Sequence, residues 1–169
     1  MTKIAIIGYS GSGKSTLAKY LGRHHQIPVL HLDTVQFLPG WQKRDDEEAR
    51  KIVSEFMRQP GWVIEGNYRR YFQAERLAAA DQIVFLAFSR FACLIRAYKR
   101  FFKYRNRSRE DMADGCIEKM DAEFTWWILY ESRTKAVRQH YRSIVTQFPE
   151  KMTVIRNQRQ LNAFMHRHD

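Results

Sequence analysis

One segment of the sequence constrains both the fold and the chemistry of the chain: Gly8-Tyr9-Ser10-Gly11-Ser12-Gly13-Lys14-Ser15. It fits the pattern G-x-x-x-x-G-K-S/T at every specified position, follows a short apolar run and opens an amphipathic segment. Glycines allow the backbone to curl so that successive N–H groups point at one anion, and the positive end of the following helix dipole faces that anion as well. The segment therefore predicts a strand, a phosphate-binding loop and a helix in succession.

Each residue of this loop has an expected role. We expect Lys14 to neutralise the β- and γ-phosphates of a nucleotide and the Ser15 hydroxyl to bind Mg²⁺. The remaining residues would hold phosphate oxygens through the loop backbone: Gly8, Ser10, Gly11, Ser12, Gly13 and Thr16. An ordinary glycine turn is the alternative, but chance does not explain why the match lies between a strand pattern and a helix pattern. ATP and Mg²⁺ are the expected cofactors.

Five short apolar runs predict the strands of a parallel sheet. They are nearly continuous and rich in β-branched and aromatic residues, which is typical of strands covered on both faces: residues 4–7, 29–32, 62–64, 83–88 and 152–155. Helical patterns alternate with them over residues 14–24, 45–59, from about 90, 116–148 and 159–166. This alternation predicts an α/β fold, a three-layer doubly wound parallel five-stranded sheet of the P-loop NTPase kind. Residues 1–169 would form a single domain, with residues 96–120 as a short helical lid.

The charge and the cysteine content limit which partners and which cellular compartment we expect. Twenty-nine Lys and Arg against 18 Asp and Glu give a net charge of +11, which favours nucleotides, nucleic acid or an anionic membrane surface. No stretch approaches membrane-spanning length, and the apolar run near the N-terminus is too short for a signal peptide. Cys93 and Cys116 lack metal-ligand spacing, so we expect two reduced thiols in a cytoplasmic protein without a membrane partner.

Acidic side chains follow two of the predicted strands. Ligands of open α/β sheets bind outside the carboxyl ends of the strands, where Asp33 and Glu65 stand. Asp33 would hold Mg²⁺ through water or accept the proton of an attacking hydroxyl group; a helix cap or a loop acid is the alternative. Glu65 would organise the water shell of the metal, and a salt bridge to Arg69 or Arg70 is the alternative.

A basic stretch follows the fourth predicted strand, with eight basic and no acidic side chains over residues 90–109. Arg96 and Arg100 stand four residues apart on one helical face, from which they would clamp the transferring phosphoryl group and stabilise its charge. A predicted loop follows, with Arg105, Arg107 and Arg109. The alternatives are a solvated basic face or a nucleic-acid patch with three aromatic stacking groups, Phe101, Phe102 and Tyr104.

Two absent signatures separate kinases from other nucleotide-binding proteins. No run of four apolar residues precedes Asp-Glu, the acidic pair of many motor ATPases, and no N-K-x-D motif of GTPases occurs. Both absences favour a kinase for a small molecule. We expect residues 34–59 and 67–76 to form the acceptor side, with contacts from Asp33, Trp41, Glu65, Asn67, Tyr68 and Arg69. The turn at residues 39–41 is alternatively only a packed turn.

Together these motifs resemble the adenylate kinase-like group of P-loop kinases. Ile64-Glu65-Gly66 is similar to the acid-glycine pair of that group, with Glu in place of the commoner Asp, and Arg96 and Arg100 match the two arginines at the start of its lid. The resemblance implies a nucleoside/nucleotide kinase-like fold and places residues 157–159 near adenine. The chain lacks the zinc-binding cysteine lid and the nucleoside-monophosphate pocket of true adenylate kinases, which argues against AMP as acceptor.

A narrower resemblance spans nearly the whole chain. Residues 31–33, 39–41, 62–68 and 115–118 resemble the DNA topology modulation protein family (FlaR-type), which implies a kinase-like fold and ATP binding. The leading interpretation is transfer of the ATP γ-phosphate to a nucleoside, nucleotide or other hydroxyl compound. The alternative is an ATP-binding, nucleic-acid-associated regulator of DNA topology, which the +11 charge supports. No helix-turn-helix, zinc-finger or RNA-binding signature accompanies that charge.

Overall fold

The computed structural model describes residues 1–104 and 120–167. Several expectations from the sequence lie outside these residues: the roles of Arg105, Arg107, Arg109 and Cys116, the motif at 115–118, and most of the lid expected at 96–120. Cys93 is buried and is a free cysteine among the described residues.

The described residues fold into strands and helices. The strands are β1 Lys3–Gly8, β2 Val29–His31, β3 Phe37–Leu38, β4 Gln42–Lys43, β5 Trp62–Glu65, β6 Gln82–Leu86 and β7 Met152–Ile155. The α-helices are α1 Lys14–His25, α2 Leu32–Gln36, α3 Asp46–Met57, α4 Gln73–Ala79, α5 Arg90–Lys103, α6 Ala122–Leu129, α7 Lys135–Gln147 and α8 Gln158–His166. Within the part of the chain that the structure describes, no helix has both the length and the apolar character to cross a membrane.

Five strands form one parallel sheet in the order β2-β5-β1-β6-β7. Parallel neighbours need crossover connections, and the helices that make them cover the sheet. The register places Glu65 beside Ile6 and His31, and Gly8 beside Leu86. The predicted doubly wound five-stranded sheet is confirmed, and the carboxyl ends of β1, β2 and β5 meet at the edge where the glycine-rich loop begins.

The core lies on both sides of the central strands. Residues 4–7 of β1 and residues 62–64 of β5 have no exposed surface, and α1 packs Leu17 and Leu21 against the sheet. Burying one such side chain stabilises a fold by roughly 1.5–3 kcal/mol. The continuous apolar runs in the sequence thus arise because both faces of these strands are covered.

The prediction of one continuous helix over residues 116–148 is wrong within the described residues. α6 ends at Leu129 and α7 begins at Lys135, with a 3₁₀ turn between them. The Thr134 hydroxyl accepts a hydrogen bond from the Val137 N–H at 3.4 Å and caps α7. Such a cap requires a non-helical residue, and Thr134 has a φ of −57° and a ψ of 161°, so a continuous helix cannot pass through it.

The second predicted strand is also shorter than expected. β2 ends at His31, and Leu32 and Asp33 belong to α2, where the Thr34 hydroxyl donates to the His31 carbonyl at 2.7 Å. The following segment forms the antiparallel hairpin of β3 and β4 around a 3₁₀ turn at Pro39–Trp41. Neither the short helix nor the hairpin is predicted by the sequence analysis, since both are too short for a recognisable periodicity.

Candidate active site

The loop after β1 has the backbone conformation that a phosphate cradle needs. Gly11 and Gly13 have φ angles of 79° and 94°, which glycine adopts without strain. A Cβ atom on Gly11 would lie 2.4 Å from the Cys93 carbonyl oxygen. Ser12 closes the turn from within, because its N–H and its hydroxyl both donate to the Tyr9 carbonyl, at 3.2 and 2.6 Å.

Lys14 adds a positive charge at this loop. It is the first residue of α1, and its Nζ donates to the Tyr9 carbonyl at 3.1 Å, so the ammonium group lies over the loop. The first turn of α1 contains no acidic residue. The helix dipole and the lysine charge therefore act together on any anion bound at the loop.

A chain of hydrogen bonds links the loop to the ends of β2 and β5. The Ser15 hydroxyl donates to Glu65 Oε1 at 2.9 Å, and His31 Nδ1 lies 2.9 Å from the same oxygen. Glu65 is almost fully buried. The alternative raised for Glu65, a salt bridge to Arg69 or Arg70, is not observed among the described contacts; its partners are Ser15 and His31.

Glu65 is held as a carboxylate. Burial by itself would raise its pKa, but the hydrogen bond from His31 and the charge of Lys14 outweigh burial and lower the pKa below its ordinary value. Carboxylate and hydroxyl oxygens are the ligands that Mg²⁺ prefers, and Mg²⁺ usually keeps several waters beside one or two protein groups. The described residues contain no group of three or more His, Cys, Asp or Glu side chains that could hold a metal ion. Ser15 and Glu65 therefore fit a sparse magnesium site of this kind.

Asp33 is oriented by Tyr68. The Tyr68 hydroxyl donates to Asp33 Oδ1 at 2.6 Å, and both side chains line the same cleft as Lys14. Burial, followed by the charge of Asp33, raises the pKa of the Tyr68 phenol far above its ordinary value, so the phenol remains a donor. The pair sets a carboxylate beside the phosphate loop in a defined orientation.

A buried arginine that the sequence analysis missed supports the segment that carries Tyr68. Arg76 of α4 is fully buried and donates to the carbonyls of Tyr71, Tyr68 and Gly66, at 2.8, 3.0 and 3.5 Å. Burial lowers the pKa of Arg76 to about 10, so it is charged at neutral pH. No local signal predicts this role, because a basic side chain in a polar segment ordinarily faces solvent.

The two arginines of α5 differ in their surroundings. Arg96 lies over the Phe88 ring at 4.5 Å and donates to the Ser12 carbonyl at 2.9 Å and to Gln158 Oε1 at 2.7 Å. It thus ties the phosphate loop to the first residue of α8, and the phosphoryl clamp expected of Arg96 stays a prediction. Arg100 follows one helical turn later and lines the cleft together with Arg96. Lys99 and Lys103 line it too, and the sequence analysis missed them although they repeat the helical spacing of the arginine pair.

A cleft of about 1490 Å³ brings most of the predicted residues together. The predicted residues in its lining are Ser10, Gly11, Gly13, Lys14, Ser15, Thr16, Asp33, Trp41, Glu65, Tyr68, Arg96 and Arg100. Ligand pockets commonly have volumes of roughly 300–1,000 Å³. The cleft is therefore larger than a pocket for one small ligand commonly is.

Four predicted residues do not line this cleft. Gly8 and Ser12 are buried beneath the loop, where they shape its backbone. The side-chain amide of Asn67 forms hydrogen bonds with the main chain of Gly8, and Asn67 therefore supports the backbone of the loop. Arg69 is exposed and does not line the cleft.

Comparisons with known proteins agree with this architecture. No protein-family model matches the sequence, and no curated protein matches it. The structure is similar to a shikimate kinase from Bacteroides thetaiotaomicron, with a TM-score of 0.57 and 19% identity over 98% of this chain and 95% of that chain. It is similar to a deoxyadenosine kinase from M. mycoides with bound dCTP, with a TM-score of 0.52 and 16% identity over 98% of this chain and 97% of that chain.

A third similar structure is an uncharacterized protein from Eubacterium ventriosum, with a TM-score of 0.51 and 13% identity over 99% of this chain and 98% of that chain. At these identities the similarity shows the fold. The chain has a P-loop kinase-like fold, as predicted, whereas the narrower resemblance to the FlaR-type family stays a prediction.

Proposed function

We propose that this protein is an ATP-dependent phosphotransferase that moves the γ-phosphate of ATP to a hydroxyl group of a small acceptor. The observation that supports this most strongly is the hydrogen bond of 2.9 Å between Ser15 and Glu65, at the edge of a cleft that also contains Lys14 and Asp33. A loop that binds phosphate, oxygen ligands for a metal and a carboxylate near the transferred group are the parts that phosphoryl transfer needs.

The phosphate side of the cleft combines backbone and side-chain donors. The loop N–H groups and Lys14 would bind the β- and γ-phosphates, and Arg100 would stabilise the charge that develops on the transferred group. Arg96 would hold the loop against the first residues of α8, where the fold resemblance places adenine. Ser15 and Glu65 would hold Mg²⁺, which would supply positive charge to offset the charge of the phosphates.

The acceptor side is formed by Asp33, Trp41 and Tyr68. Asp33 would accept the proton of the attacking hydroxyl group, and the Tyr68 hydroxyl would keep the carboxylate in position for that transfer. Asn67 and Arg69 were expected as further contacts, and this role stays a prediction for both. The net charge of +11 and the buried Cys93 thiol agree with a cytoplasmic enzyme for anionic nucleotides.

The proposal is tested by mixing the protein with ATP, Mg²⁺ and a panel of hydroxyl-bearing metabolites, and measuring ADP release and phosphorylated product. Lys14→Ala should lower turnover by roughly 10²–10³-fold, the usual effect of removing one donor to the transition-state charge, without loss of the fold. Lys51→Ala is the matched control, because Lys51 is exposed on α3 and does not line the cleft. Normal turnover of Lys14→Ala would reject the role of the loop.

The same experiment weighs the alternative of a nucleic-acid-associated regulator. That function predicts salt-sensitive DNA binding that survives Lys14→Ala, with no metabolite that stimulates ADP release. A kinase of the proposed kind gives ADP release that depends on a metabolite and not on DNA. The FlaR-type resemblance is compatible with either result, so the measurement decides between them.

A further inference from the structure

We infer that the acceptor is a nucleoside, an uncharged compound with a planar heteroaromatic ring and a sugar hydroxyl group. This inference rests on the proposed function and concerns the same cleft. It follows from the distribution of charges and aromatic rings over the residues that line the cleft.

The cationic side chains of the cleft lie on one side. Within the described lining, every Lys and Arg belongs to α1 or α5: Lys14, Lys19, Arg23, Arg96, Lys99, Arg100 and Lys103. These two helices flank the glycine-rich loop, since Lys14 begins α1 and Arg96 of α5 bonds the Ser12 carbonyl. This side therefore suits the triphosphate of ATP.

The wall around Asp33 has the opposite character. We call it the acceptor wall, and its residues are Asp33, Phe37, Gly40, Trp41, Glu65 and Tyr68. Two of these are carboxylic acids, three carry aromatic rings, and none is a cation. Two cations of the neighbouring segments are engaged elsewhere, because Arg44 donates to the Val35 carbonyl at 2.9 Å and Arg70 donates to Gln36.

These charges disfavour both anionic and cationic acceptors. A phosphomonoester or a carboxylate on the acceptor wall would face Asp33, and no described cation of that wall offsets the repulsion. An ammonium group on the acceptor wall would need a carboxylate of its own there. Glu65 is already bonded to Ser15 and His31, and Asp33 is bonded to Tyr68 and is required as the proton acceptor. The acceptor wall therefore favours an uncharged acceptor.

The aromatic rings of the acceptor wall favour a planar ring in that uncharged acceptor. Phe37 and Trp41 meet edge to face with their centroids 5.2 Å apart, and Trp41 is 39% exposed at the turn of the hairpin. Tyr68 packs on Tyr71 at 5.3 Å and carries the hydroxyl that orients Asp33. Nucleobases stack on such side chains, and a nucleoside brings the hydroxyl group that Asp33 would deprotonate.

The first experiment compares acceptor classes. Binding of ATP with Mg²⁺ is measured by calorimetry, and transfer is then measured to adenosine, deoxyadenosine, guanosine and cytidine, to their 5′-monophosphates, to shikimate and to ethanolamine. We expect kcat/KM for at least one nucleoside to exceed that for the other compounds by about 100-fold or more, a ratio within the range that a mismatched group in a binding pocket produces. Transfer to a monophosphate, shikimate or ethanolamine in preference to every nucleoside overturns the inference and leaves the proposed function standing.

Two other results of this comparison are also decisive. Binding of ATP without transfer to any nucleoside overturns the inference but does not reject the proposed function. Failure to bind ATP rejects the proposed function, and the inference with it.

The second experiment tests the aromatic rings. Trp41→Ala should raise the KM for the nucleoside by a factor of roughly 5 to 150, the usual range for loss of one stacking ring, and leave the dissociation constant for ATP unchanged. Trp126→Ala is the matched control, because Trp126 is 55% exposed on α6 and does not line the cleft. An unchanged KM in Trp41→Ala, in protein with native circular dichroism, overturns the stacking role, and Phe37→Ala gives a second, independent reading.

Discussion

Asn67 pairs its side-chain amide with the main chain of Gly8 in both directions. The Gly8 N–H donates to Asn67 Oδ1 at 3.0 Å, and Asn67 Nδ2 donates to the Gly8 carbonyl at 2.7 Å. The amide thereby takes the place of a neighbouring strand at the point where β5 has ended and the phosphate loop begins. The conformation of the loop thus depends on a residue 59 positions away in the sequence.

Asn67→Ala should therefore act on the loop. It leaves a part-buried donor and acceptor of Gly8 unpaired, which costs about 1–3 kcal/mol of unfolding free energy, and we expect weaker ATP binding with an unchanged KM for the acceptor. Urea unfolding and calorimetry with ATP measure the two effects. Gln139→Ala, on the exposed face of α7, is the control. A raised acceptor KM with normal ATP affinity would show that Asn67 contacts the acceptor.

Local patterns in the sequence predict the loop and the sheet well. The glycine pattern, the apolar strand before it and the amphipathic helix after it are all contained within residues 4–25, so no distant contact is needed to identify them. Asp33 and Glu65 follow from the same reasoning, because the ends of parallel strands share one edge. The hydrogen bond of Ser15 to Glu65 is the structural consequence.

Distant contacts explain what the sequence does not reveal. His31 acquires its role from Glu65 on another strand, and Arg76 from three carbonyl groups of a preceding loop. Neither the contact of His31 nor the contacts of Arg76 produce a periodic pattern in the sequence. The break between α6 and α7 is different, because Thr134 is a capping residue type and offers a local signal that the apolar spacing over residues 116–148 outweighs.

The carboxylate of Glu65 predicts a dependence of stability on pH. Its pKa is lowered in the folded protein, so it stabilises the fold at pH values above the ordinary pKa of about 4.3, and this contribution is lost as the pH falls through the folded-state pKa. We expect the difference in unfolding free energy between the wild type and Glu65→Gln to shrink as the pH falls from 7 to below about 4. Urea unfolding followed by tryptophan fluorescence measures it, and a constant difference would contradict a lowered pKa.

Glu65 also predicts the metal dependence of activity. Glutamine keeps the shape of the side chain but removes the charge that attracts Mg²⁺, so Glu65→Gln should need a higher Mg²⁺ concentration for half-maximal turnover, by about tenfold or more. Glu150→Gln, at an exposed position outside the cleft, should behave as the wild type does. The same Mg²⁺ requirement in all three proteins would remove Glu65 from the metal site.

The pair of Asp33 and Tyr68 predicts coupled effects on turnover. Asp33→Asn removes the expected proton acceptor and should lower kcat by roughly 10²–10⁴-fold. Tyr68→Phe removes one hydrogen bond to a charged group, worth about 1.5–3 kcal/mol, and should lower kcat by a smaller factor. In Asp33→Asn the orientation of the side chain matters little, so adding Tyr68→Phe should change kcat hardly at all. Full activity of Asp33→Asn would make Asp33 a bystander, and independent effects of the two changes would show that Tyr68 does not act through Asp33.

We expect substitutions of the two arginines of α5 to have different effects, one mainly on nucleotide binding and the other mainly on catalysis. Arg96→Ala removes the bonds to the Ser12 carbonyl and to Gln158, so the loop loses its tie to α8 and ATP should bind more weakly with a small change in kcat. Arg100→Ala should lower kcat more than ATP affinity, by roughly 10²–10³-fold, because its charge would act on the transition state.

Steady-state kinetics and calorimetry of the two arginine variants check this separation. Arg138→Ala is the control, since Arg138 is exposed on α7 and does not line the cleft. A pure loss of binding in Arg100→Ala would argue against the phosphoryl clamp. A pure loss of kcat in Arg96→Ala would place its guanidinium at the transferred phosphate, because tying the loop to α8 affects how ATP is held before any bond to phosphorus changes.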